Sequence, residues 1–195
     1  MISTTYKTLF TALIIGLTLT VSGCAAVNSA ATPGTLEENY GERTEGARVE
    51  DNSIETKISH NLSRTDARLG DARIKVDAYN GVVLLTGQVP SEELLEMANE
   101  IANDVRNVRV VHNELSVAAN LPASQRLADT WLNTRIRTSL AANEQIDTGR
   151  IRVVTENASV YLMGIVTRGE AERIVEATSR VGGMERIVKV FDYLD

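Results

Sequence analysis

Residues 72–89 read ARIKVDAYNGVVLLTGQV, and residues 149–166 read GRIRVVTENASVYLMGIV. Laid one over the other, Ile74 meets Ile151, Asn80 meets Asn157, Gly87 meets Gly164 and Val89 meets Val166. Upstream, DNSIETKISHNL from Asp51 lies over DTWLNTRIRTSL from Asp129, and the matches keep an offset of 77 or 78. Self-similarity at a fixed offset means one structural unit written twice, so the fold question reduces to reading the unit.

Each copy opens with a helix, marked by apolar residues at 54, 58 and 62 or at 132, 136 and 140, with Asp51 or Asp129 placed to cap it. Alternating Ile74 and Val76, or Ile151 and Val153, predict a strand. Tyr79-Asn80-Gly81 and Glu156-Asn157-Ala158 then predict a tight turn into a second strand over 82–89 or 159–166. Gly87 and Gly164 recur at one point inside that strand, which calls for a bulge or the close approach of a neighbour. A second helix follows over 91–105 or 168–181, with Ser91, Glu92 and Glu93 suited to a positive helix N-terminus. A closing strand spans 109–117 or 186–193. The order is αββαβ, an α+β unit in which two helices most simply cover one face of a three-stranded mixed sheet. The units are assigned to residues 51–119 and 125–195, joined by the short Leu121-Pro122-Ala123-Ser124 segment.

Working outward, the chain begins MISTTYKTLFTALIIGLTLTVSGCAA. Lys7 supplies a short positive region, and residues 9–21 form an apolar run of signal-peptide length, too short to span a bilayer comfortably. It ends in Val21-Ser22-Gly23-Cys24, small residues then a cysteine, which matches the bacterial lipobox. Residues 1–23 are therefore read as a lipoprotein signal peptide and Cys24, the only cysteine, as the acylated first residue of the mature protein. With that thiol used, no disulfide can form and packing must supply the stability. Ala25 stands where an Asp would retain similar lipoproteins in the inner membrane, so the expected location is the periplasmic face of the outer membrane. Residues 24–50, small, polar and acidic with Pro33-Gly34, read as a lipidated tether. About 25 flexible residues reach roughly 25 to 30 Å.

The net charge of -6 excludes a general nucleic-acid binder. That average hides an asymmetry: residues 24–120 carry 9 Lys/Arg against 16 Asp/Glu, while residues 121–195 carry 10 against 10. Between Asp129 and Glu144 nothing is acidic, and this run holds the only tryptophan, Trp131.

The hairpin strands VVLLTGQV and SVYLMGIV, the helices containing Glu93 and Glu170, and the closing Asn107-Val108-Arg109-Val110-Val111-His112-Asn113 run resemble the BON domain of bacterial envelope proteins. A lipobox, a linker and two such units are similar to the dual BON-domain outer-membrane lipoproteins of Gram-negative bacteria. The second copy departs at its end, where Gly182-Gly183-Met184 and Lys189 replace the valine and asparagine pattern. The resemblance implies a non-enzymatic monomer that binds anionic phospholipid through the first helix of its second domain and supports envelope integrity. It also implies association with the division site and with the machinery that assembles outer-membrane β-barrels.

The residues themselves carry little chemistry. His60 and His112 sit on amphipathic elements, and no HExxH, GxSxG, paired cysteines or glycine-rich phosphate loop occurs, so neither cofactor nor metal is expected. Glu92, Glu93, Glu96 and Glu100 have the spacing of a solvated helix face. Trp131 stands apart. At 3.6 residues per turn, Leu132, Ile136 and Leu140 form the core stripe, whereas Leu127, Trp131, Thr134 and Thr138 form a second strip edged by Arg135 and Arg137. An apolar and hydroxyl strip with flanking arginines suits a bilayer interface, where guanidinium groups fork onto phosphate. The first copy has Val49, Ser53, Thr56, Lys57 and His60 at the positions of Leu127, Trp131, Thr134, Arg135 and Thr138, and lacks the aromatic anchor. Two occupants remain open for Trp131 at this stage: an external surface, or the first domain across the joint.

Overall fold

The structure is a computed structural model that describes residues 40–195. The signal segment, Cys24 and the tether as far as residue 39 lie outside the described residues. The first unit runs α1 (Glu45–Thr65), α2 (Ala67–Asp71), β1 (Arg73–Tyr79), β2 (Val82–Val89), α3 (Glu92–Asn103) and β3 (Val110–Val117). The second runs α4 (Ala123–Ala141), a single 3-10 turn (Thr148–Arg150), β4 (Ile151–Glu156), β5 (Ser159–Val166), α5 (Arg168–Ser179) and β6 (Arg186–Tyr193). The expected αββαβ order is present twice, with α2 as an addition that Asp66 nucleates by accepting from the Arg68 amide at 2.7 Å.

Asp51 and Asp129 are not helix caps. Thr44 caps α1, accepting from the Ala47 amide at 3.1 Å, so residues 45–50, read from composition as tether, form its opening turns. Pro122 precedes α4, whose first turn has no side-chain cap. Both aspartates lie inside their helices, buried to 2% and 4% exposure, and their carboxylates reach across to the hairpin turns. Asp51 accepts from the Asn80 and Gly81 amides at 2.8 Å, and Asp129 from those of Asn157 and Ala158 at 2.9 Å. The turns need such a partner, because two successive residues in left-handed conformation point their amides to one side: φ is 52° at Asn80 and 75° at Gly81, and 47° and 55° at Asn157 and Ala158.

In each sheet the hairpin pairs antiparallel and the closing strand adds parallel to its second strand, giving the orders β1-β2-β3 and β4-β5-β6. Gly87 and Gly164 mark close approaches. A Cβ on Gly87 would stand 1.8 Å from the Arg73 carbonyl oxygen, and one on Gly164 2.6 Å from that of Arg150.

Along β2, Val83, Leu85 and Val89 face a core shared with Ile54, Ile58 and Leu94 of the helices. The equivalent core of the second unit joins Val160, Leu162 and Val166 to Leu132, Ile136 and Ile174. The opposite faces of the two sheets bury each other. Tyr79, Val82 and Leu84 pack with Val154, Tyr161, Met163, Ile165 and Val190 in a third apolar cluster. The order of layers is therefore helix, sheet, sheet, helix, and it explains why every residue of β2 and β5 is buried.

Candidate functional site

Helix α4 presents two faces, and the inner one is fixed by packing. Leu132, Ile136 and Leu140 are buried against the second sheet, and Asp129 on the same side ties the helix to the β4–β5 turn. The outer face carries Leu127 at 60% and Trp131 at 65% exposure, one helical turn apart. Thr134, Arg135, Arg137 and Thr138 are exposed as well, so all six residues of the expected strip reach the surface. Trp131 does not fill the joint between the domains.

The strip is partly ordered by its own hydrogen bonds. Thr130 and Thr134 return their hydroxyl protons to the carbonyls of Arg126 and Thr130, which leaves their oxygens facing out. Arg135 donates to the Val181 carbonyl at 2.6 Å and is held toward the segment after α5. Arg137 lies on the other side, at the rim of a hollow of about 300 Å³ lined by Thr138, Leu140, Ala141, Thr148, Ile151 and Val153. The structure therefore places the two arginines on opposite sides of the Trp131 ridge. Neither Arg126 nor Arg137 has an ion-pair or hydrogen-bond partner for its guanidinium among the described residues.

The first unit lacks this arrangement. Val49 is 68% exposed at the position of Leu127, but Ser53 replaces the tryptophan and Lys57 stands 4.0 Å from the carboxylate of Glu50. His60 is exposed and His112 half-buried. Among the described residues no group of His, Cys, Asp and Glu is arranged to hold a metal, and no helix is long and apolar enough to cross a membrane.

A second constellation was not anticipated: the charged rim between the two sheets. Glu156, 4% exposed, accepts from Arg73, from Gln88 at 2.9 Å and lies 2.9 Å from Lys75. Burial opposes its ionisation, but the hydrogen bonds from Arg73, Gln88 and Lys75 prevail and hold its carboxyl below the ordinary value. Arg109 and Asn80 act in the same way on Asp192, overcoming its desolvation. Arg152 reaches from β4 to Glu55, Asp77 and the Ala78 carbonyl, and Arg186 reaches Glu114 at 2.9 Å. The signal was present in the strands: β2 and β5 show no polar alternation, so a sheet covered by helices on one face alone does not account for them.

These features agree with comparisons to known proteins. A BON domain family profile matches residues 50–119 and 128–195. The chain is 29% identical over 184 residues to the Outer membrane lipoprotein DolP of Haemophilus influenzae, covering 94% of this chain and 95% of that protein. It is 33% identical over 152 residues to the 21 kDa hemolysin of Actinobacillus pleuropneumoniae, covering 78% of each. It is 25% identical over 190 residues to the Osmotically-inducible protein Y of Escherichia coli, covering 93% of this chain and 92% of that one. None of these names denotes an enzyme. With both repeats matched and relatives aligned across the tether, the chain belongs to the BON-domain family, as a tandem-BON lipoprotein of the outer membrane.

Proposed function

We propose that this lipoprotein, anchored through acylated Cys24, binds anionic phospholipid with the outer face of α4 and thereby supports envelope integrity at the division site. The carrying observation is the pairing of Trp131 and Leu127, both about two-thirds exposed, with Arg135 and Arg137 on either side. Tryptophan favours the headgroup boundary, exposed threonine oxygens accept hydrogen bonds there, and arginine stems lie along apolar surface while their heads meet phosphate. Each basic residue adds about 1 kcal/mol near an anionic surface, which is modest alone. The Cys24 anchor raises the effective concentration of membrane at the site, so weak contacts suffice. The reading requires no catalysis and no cofactor.

Flotation with vesicles tests it. Residues 25–195, without the apolar leader and Cys24, should float with phosphatidylglycerol vesicles and not with phosphatidylcholine alone. Trp131→Ala should weaken this by about tenfold or more, equivalent to about 1.4 kcal/mol. Arg135→Glu should weaken it further at low salt than at high salt. Equal flotation of parent and variants would remove α4 from the proposal.

The same exposed strip supports a second reading, a scaffold that docks on the machinery assembling outer-membrane β-barrels. A photo-crosslinker at position 131 separates the two: lipid adducts favour the first, a single discrete protein band the second.

A further inference from the structure

The two repeats differ at one place that their sequences do not advertise, the outer edge of the hairpin. In a two-residue hairpin, residues on the first strand alternate between bonding the partner strand and pointing N–H and C=O away from it. In β1 the outward-pointing residue next to the turn is Ala78, and both of its groups are used. Its amide donates to Glu55 at 2.8 Å and its carbonyl accepts from Arg152 at 3.3 Å. In β4 the equivalent residue is Thr155, and Asn133 stands where α1 has Glu55. Asn133 donates instead to the Val153 carbonyl at 2.9 Å and to the Thr155 hydroxyl at 3.2 Å. The Val153 amide and both backbone groups of Thr155 point outward and take no partner among the described residues. Beside the turn the β1 edge is capped by Glu55 and Arg152 and the β4 edge is not; farther along, Val76 of β1 also points both backbone groups outward with no partner among the described residues.

The open edge lines a groove. Between α4 and β4 lie two hollows of about 300 and 350 Å³ that share Val153. The floor is apolar at the Arg137 end, formed by Leu140, Ile151 and Val153. It is polar at the Arg126 end, where Lys75, Asp77 and Asp129 join the lining but are already engaged by Glu156, by Arg152 and by the β4–β5 turn amides. Arg137 and Arg126, unpartnered among the described residues, stand at its two ends. These arginines are eleven positions apart on the helix, about 16 Å at 1.5 Å per residue. An extended chain covers that distance in roughly five residues.

We infer that this groove docks an extended acidic segment of a partner protein, which adds to β4 as a fourth strand. Backbone groups of the segment pair with Val153 and Thr155, alternate apolar side chains enter the groove, and carboxylates four to six residues apart meet Arg126 and Arg137. The groove shares Arg137, Thr134 and Thr138 with the proposed lipid strip, whereas Arg126 and the β4 edge belong to the groove alone and Trp131 and Leu127 to the strip alone.

The test selects displayed random dodecapeptides on residues 25–195, then measures synthetic copies of the enriched sequences by fluorescence anisotropy. Enriched peptides should alternate β-branched residues and carry two or more acidic residues at that spacing. Ala141→Trp, which fills the groove, should weaken their binding at least tenfold. Val153→Pro should do the same by deleting the outward amide, a substitution an edge strand tolerates. Should Val153→Pro not fold, Arg126→Glu takes its place, with selective loss of the acidic peptides. Flotation of Val153→Pro with phosphatidylglycerol vesicles should equal that of the parent, because Val153 lies on β4 and outside the α4 strip, so the two proposals can fail separately. The inference is overturned if no peptide is enriched, if enriched peptides ignore Ala141→Trp, or if they bind Arg126→Glu as tightly as the parent.

Discussion

Asp51 and Asp129 show how one carboxylate can fix the geometry of a whole unit. Each is buried, and each is held by two backbone amides of the hairpin turn on the neighbouring element. Hydrogen bonds to a charged group contribute about 1.5 to 3 kcal/mol each before losses elsewhere are counted. Asp129→Ala should therefore lower the free energy of unfolding by about 3 kcal/mol in urea denaturation, with helix content retained by circular dichroism. Ala158 supplies a test of opposite sign. It holds a left-handed conformation at φ 55°, where the first repeat has Gly81. Ala158→Gly should stabilise the protein by about 0.5 to 1 kcal/mol, read in the same titration.

The hairpins and helices obey their sequence patterns closely, and glycine is the limit of what they tolerate. A side chain on Gly87 would collide with the Arg73 carbonyl, and its φ of 127° is closed to other residues. Gly87→Ala should cost about 3 kcal/mol or more, through strain and separation of β1 from β2. Gly164→Ala meets a carbonyl at 2.6 Å without a positive φ, so it should be the milder of the pair. At this scale the apolar periodicity of α4 was enough to find both the core stripe and the strip containing Trp131. It did not reveal the role of Asp129, because an aspartate at the start of an apolar stripe looks the same whether it caps its own helix or a distant turn. Nor did it single out Arg126, whose importance comes from the β4 edge beside it.

Across the whole molecule, two sheets meet through an apolar centre with a charged rim. Met163→Asp would bury an unpaired carboxylate in that centre, and is expected to replace one cooperative unfolding transition by two, or by one at much lower urea. The rim makes the assembly sensitive to acid. Glu156 and Asp192 in the rim, and Glu170 where it accepts from the Thr167 amide at the start of α5, are held below their ordinary values, so their contribution to stability is present above the unfolded carboxylate range of about 4 and is lost as pH falls through the lower folded values. Asp77 is shifted up by its burial, chiefly against the pull of Arg152, and opposes this trend in part. The expected net result is a falling urea midpoint from pH 5 toward pH 3 (roughly the range where carboxylates titrate), with Glu156→Gln flattening the profile.

The amino-acid sequence by itself determined the repeat, the element order, the core stripe of each helix and the surface strip of α4. All of these follow from local periodicity and turn chemistry, which need no knowledge of what lies opposite. Tertiary structure alone decided that the bare sheet faces bury each other, that Asp51 and Asp129 serve turns rather than helix ends, and that the β1 edge is capped beside its turn while the β4 edge is not. Each of those outcomes joins residues distant in sequence, as when Arg152 reaches Glu55 and Ala78. A charged side chain carries no mark of its partner until the fold brings the two together.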